Sequence, residues 1–84
     1  MIFNPPLRQN NAEVTSINEE NNTMHLLFYV NAANPMQAGT PELHAMIQTD
    51  TNSMIRYLEL EGYIAAGKPW IISAGVILYK PWTN

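Results

Sequence analysis

Six side chains in the last quarter of this chain have the types needed for recognition chemistry: Tyr63, Lys68, Trp70, Tyr79, Lys80 and Trp82. Large aromatic rings supply much contact area, and Trp and Tyr dominate the energetics of protein interfaces. Lys68 and Lys80 are the only charged residues from Gly62 to Asn84. Few charges among exposed rings is the composition of a protein hot spot. The same set could stack a base or nucleotide on a ring with a lysine beside it. The plainer alternative is that Trp70 and Tyr79 pack a sheet and Trp82 covers its edge.

Other chemistry fares worse. Gly62 to Lys68 has the glycine and lysine spacing of a phosphate-binding loop. Such a loop needs a strand before it and a helix after it, so that the helix N-terminus faces the phosphates. Here the pattern is reversed, and Pro69 stands where a hydroxyl should reach magnesium. Gly62 reads better as a helix stop and Gly67 as part of a turn. The two histidines, His25 and His44, have no ligand partners at useful spacing. Glu42 and His44 lie two apart on a helix and diverge. Glu59 and Glu61 diverge for the same reason and cannot act as a facing carboxylate pair. No nucleophile elbow is present. The expectation is a non-enzymatic protein with no cofactor and no metal.

Composition narrows the classes further. Of 84 residues, 46% are apolar and only 13% are charged, about half the usual charged fraction. The apolar content is too high for a disordered chain. There is no cysteine, which excludes disulfides, zinc–thiolate sites and a thiol nucleophile. A net charge of -3 disfavours nucleic acid as a partner. The N-terminus lacks a basic region followed by an apolar stretch, and no run reaches the roughly 20 residues of a membrane span. A cytoplasmic protein without membrane contact is therefore expected. So small a core gains from association, and a surface poor in charge suits contact with a second copy, so a homo-oligomer is expected.

These side chains need elements to position them. Residues 1–11 read as an N-terminal arm, because Pro5-Pro6 blocks regular pairing and Asn10-Asn11 reads as loop. Residues 12–84 read as a single α+β domain. Val14 to Ile17 is a short strand. Asn18 to Asn22 forms a turn, and Met24 to Val30 a second strand that completes a hairpin. Met24, Leu26, Phe28 and Val30 share one face of it, and His25, Leu27 and Tyr29 the other. Apolar residues on both faces make this strand central. Thr40, Pro41 and Glu42 start a helix, and Gly62 stops it. Leu43, Met46, Ile47, Met54, Ile55 and Leu58 follow helical spacing. Thr49 to Ser53 disfavour helix interiors. The stretch reads as one helix, with a kink allowed there, or as two short ones; the single helix is the expectation. Tyr63-Ile64 reads as a brief strand and Ala65 to Pro69 as a turn. Trp70 to Lys80 reads as one strand, with a bulge allowed at Gly75. It sets Trp70, Ile72, Ala74, Val76 and Leu78 against Ile71, Ser73, Gly75, Ile77 and Tyr79. The order is ββαβ, an antiparallel sheet of three to four strands with the helix packed on one face.

Two resemblances add expectations. Glu42-Leu43-His44-Ala45, followed by a polar stretch and Arg56 to Ile64, resembles the second half of a winged helix, where a recognition helix runs into a wing hairpin. That implies the alternative function, a DNA-binding regulator using residues 42–80. The size and traits of the chain resemble small accessory proteins of phages and mobile elements, which block a host factor. The leading expectation is thus a small binding protein or inhibitor that occupies a partner macromolecule or sequesters a ligand.

Overall fold

In a computed structural model, which describes residues 7–33 and 39–80, the helix forms between the signals that predict it. Helix α1 spans Pro41–Leu60 without a break. Thr40 Oγ1 accepts from the Leu43 N–H at 3.3 Å, Pro41 occupies the first helical position, and Glu42 lies in the first turn. At the other end Gly62 takes a φ of +80°. This left-handed turn lets the Gly62 N–H donate to Glu59 at 3.2 Å and the Tyr63 N–H to Leu58 at 2.8 Å. The pair of bonds closes the helix as a Schellman cap.

The polar middle does not divide the helix. Leu43, Met54 and Leu58 are buried on one side of it, and Met46, Ile47 and Ile55 pack around them. Such tertiary packing outweighs poor local propensity. One cost is visible: an Asp50 carboxylate oxygen is buried with no hydrogen-bond partner among the described residues.

Four strands form one sheet in the order β1-β2-β3-β4, with β1 Leu7–Gln9, β2 Ala12–Asn18, β3 Thr23–Asn31 and β4 Ile71–Tyr79. The architecture is α+β, a small sheet with one helix. The sheet is mixed rather than wholly antiparallel. β1, β2 and β3 run antiparallel in turn, but β4 pairs parallel with β3, Thr23 opposite Ile71 and Asn31 opposite Tyr79. The cause is the helix. It carries the chain back to the end where β3 began, so the next strand runs the same way.

Three further expectations need correction. Leu7–Gln9, read as arm, is a strand, because Asn10 takes a φ of 56° and reverses the chain within two residues. Tyr63-Ile64 forms no strand; Ile64 plugs the core instead. The bulge lies at Thr15 in β2, where the register shifts between Val14 and Ser16, and β4 is regular through Gly75. The winged-helix resemblance of residues 42–80 does not extend to the backbone. Its wing would be an antiparallel hairpin, whereas this segment is one helix, a loop and one parallel strand.

Burial alternates along β3: Met24, Leu26, Phe28 and Val30 are buried and the residues between them are not. Ala12 and Val14 of β2 continue that face, and Met54, Leu58 and Ile64 close over it. Among the described residues, no fully buried residue is polar or charged. No helix among the described residues is long and apolar enough to cross a membrane.

Candidate functional site

A parallel strand is normally covered on both faces, and its sequence is apolar throughout for that reason. β4 has such a sequence, IISAGVILY, but the described residues leave it largely uncovered. Ile71 is 68% exposed, Leu78 47%, Tyr79 42%, Ile77 39% and Val76 38%. This strand and the surfaces beside it are the candidate site.

The register divides its side chains. Ile72, Ala74, Val76 and Leu78 align with Met24, Leu26, Phe28 and Val30, on the face that carries the helix. Ile71, Ser73, Gly75, Ile77 and Tyr79 align with Thr23, His25, Leu27, Tyr29 and Asn31. No element among the described residues packs on this second face. Leu27, Tyr29, Ile77 and Tyr79 lie together on it. Gly75 makes room for Leu27: a Cβ at Gly75 would lie 2.9 Å from Leu27 Cδ2.

Polar side chains order the part of this face toward β1. The Arg8 guanidinium lies 4.4 Å from the centre of the Tyr29 ring. The Tyr29 hydroxyl donates to Glu13 Oε1 at 2.8 Å. The bulged Thr15 hydroxyl pairs with His25 Nδ1 across the strands. Tyr29 is thereby held between a cation on its ring and a carboxylate at its tip, opposite Ile77 in the sheet register.

The hydrogen bond to Glu13, followed by burial and the Glu13 charge, holds the Tyr29 phenol above its ordinary range, and Arg8 opposes the shift. Folded Tyr29 therefore binds its proton more tightly than unfolded Tyr29 does. The stabilisation is fully present below the ordinary tyrosine pKa of about 10 and is lost as pH rises through the higher folded value. Glu13→Ala is expected to bring the Tyr29 titration down toward the ordinary value, read by the ring carbon shift in NMR. An unchanged midpoint would show that the carboxylate is not the cause.

Five of the six residues singled out by sequence lie among the described residues, and these five do not converge. Tyr63 and Trp70 are half-buried and pack against the core. Lys68 and Lys80 are exposed beyond opposite ends of β4, whose nine residues span about 26 Å between end Cα atoms. One ligand cannot meet both lysines and a shared ring at that distance. Of the five that the structure describes, Tyr79 alone joins the uncovered face; Trp82 lies outside the described residues. The sequence reading passed over Arg8, Glu13, Leu27 and Tyr29 as site residues. Strand alternation already put Leu27 and Tyr29 on one face, but nothing in it said which face the helix would take.

On the helix side, Gly39, Thr40, Leu43, His44, Ile47 and Val76 line an open groove of about 480 Å³. It forms because the first half of α1 stands beside β4 without covering it. Among the described residues no three histidine, cysteine, aspartate or glutamate side chains gather as a metal site. Compared with known protein families, curated proteins and solved structures, the chain matches none.

Proposed function

We propose that this chain is a small non-enzymatic binding protein, homo-oligomeric, that occupies a protein partner through the uncovered face of its sheet. One observation carries the reading: the half-buried Leu27 and Tyr29 and the exposed Ile77 and Tyr79 share one sheet face with no element among the described residues over it. A patch of this kind on a small domain marks an interaction surface. Its rim supports a protein rather than a nucleic acid as the occupant. Among the described residues Arg8 is the one cation on the face, and it is spent on the Tyr29 ring. A phosphate backbone would need several free cations there. An inhibitor that blocks a host factor works in this way, by covering a surface and performing no reaction.

The test is affinity capture from the native source with the wild-type chain and a Tyr29→Ala, Tyr79→Ala double variant. The partner is expected to bind the variant at least about 100-fold more weakly, the loss typical of two central aromatic contacts. Equal affinity for a folded variant would remove the sheet face from the mechanism. The groove beside Val76 supports a second reading, sequestration of a small apolar ligand, since about 480 Å³ falls within the size range of ligand sites. Native mass spectrometry of the same purified sample reads out that ligand as added mass.

A further inference from the structure

β4 ends the sheet, so one of its edges has no neighbouring strand among the described residues. Two hydrogen bonds establish what that edge presents. The Ile71 N–H donates to the Asn22 carbonyl at 2.8 Å, and the Tyr79 carbonyl accepts from the Ala32 N–H at 2.9 Å. Backbone groups alternate sides along a strand. Ile71, Ser73, Gly75, Ile77 and Tyr79 therefore bond toward β3. Ile72, Ala74, Val76 and Leu78 direct their N–H and C=O groups outward.

Proteins protect open edges with short strands, charges, prolines or bulges, because an unprotected edge pairs with another strand. The opposite edge follows the rule: β1 has three residues and an exposed Arg8 at its centre. β4 has none of these devices. It is nine residues long, uncharged and regular.

The edge also matches itself. In an antiparallel pairing with the two-fold axis at Gly75, Ile72 meets Leu78 of the second copy and Ala74 meets Val76 of the second copy. All are outward-facing residues. Each pair exchanges two bonds, about eight in all, and moving the axis by one residue leaves about six. The axis falls on a residue with no Cβ, where the two backbones approach most closely. No like charges meet. The two Lys80 side chains start about 33 Å apart, far beyond the screening length of about 8 Å.

We propose that two copies of this chain pair antiparallel through the free edges of β4, registered on Gly75, to form one continuous eight-stranded sheet. This deepens the oligomeric part of the function proposed above and does not depend on what the sheet face captures. The register keeps the same face of each copy on the same side, so the two uncovered faces become one platform. An edge strip about 30 Å long and 10 Å thick is about 300 Å² per copy. A standard interface takes about 800 Å² per partner. The pair is thus expected to form and dissociate reversibly with concentration.

Sedimentation of the full chain from about 10 μM to about 1 mM tests this. The wild type is expected to move from its monomer mass of 9.5 kDa toward twice that value. Ala74→Pro removes an outward N–H and no bond to β3, so the sheet survives while dimer affinity falls at least about 100-fold. Val76→Lys places a charge beside the axis and is expected to do the same, which covers failure of the proline variant to fold. Amide exchange in the wild-type dimer is expected to slow at Ile72, Ala74, Val76 and Leu78. A wild type that stays monomeric throughout, or a dimer that survives the folded edge variants, overturns the proposal. Neither result depends on partner capture, which the Tyr29 and Tyr79 substitutions report separately.

Discussion

Phe28→Ala is expected to cost about 3–5 kcal/mol of folding stability. Phe28 is fully buried and is the largest side chain in the core. It sits on the interior strand β3, between Ala12 of β2 and Val76 of β4. Removing the ring leaves a cavity that strand backbones tied by ladder bonds cannot close. A chain of 84 residues has roughly 4–13 kcal/mol of stability in total. The substitution therefore takes a large share of what holds the fold, and it does so in a molecule with no disulfide to limit the loss. Urea unfolding followed by circular dichroism measures it. A loss below about 1 kcal/mol would mean that the ring is not enclosed and that the helix lies elsewhere on the sheet.

Thr51→Pro is expected to cost about 3 kcal/mol or more. In a continuous helix the Thr51 N–H reaches back to the carbonyl of Ile47. Proline removes that bond, and its ring strikes the same carbonyl. The position is chosen because it separates two arrangements of the polar stretch Thr49 to Ser53. Were this a turn between helices with Asp50 as the second cap, residue 51 would open a helix, where proline is favoured. The same substitution would then be neutral or mildly stabilising. Thermal melting with a far-ultraviolet readout decides between them, since only the continuous helix loses both melting temperature and helical signal.

That polar stretch shows where local reading succeeds and where it stops. The ends of α1 were legible because Thr40, Pro41 and Gly62 act through bonds they make themselves. Continuity through Asp50 was a closer matter, since it rests on the burial of Met54 and Leu58 against a sheet. β3 was legible because strict alternation from Met24 to Val30 describes an interior strand. The two faces of β4 were also legible, residue for residue. Its direction was not, because a strand has the same side-chain pattern whether its neighbour runs parallel or antiparallel. β1 was hidden by its length and by Pro5-Pro6 just before it. The candidate site was legible only in outline. The C-terminal strand stood out as poor in charge and rich in rings. Which rings would stay uncovered depends on the number of layers in the fold, and no single segment encodes that.

The unequal edges of the sheet have a consequence for how far assembly can go. A strand edge behaves like a functional group in polymer chemistry, and a molecule needs two reactive groups to grow into a chain. β4 supplies one, while the three-residue β1, centred on Arg8, is a blocked end. On the proposed pairing, the described residues make the molecule monofunctional. When two such monomers react head to head, the reaction terminates, and the product has blocked ends on both sides. In the proposed pairing, an apolar nine-residue edge that would seed fibres in a doubly open sheet becomes a stoichiometric coupling, with two as the limit of growth.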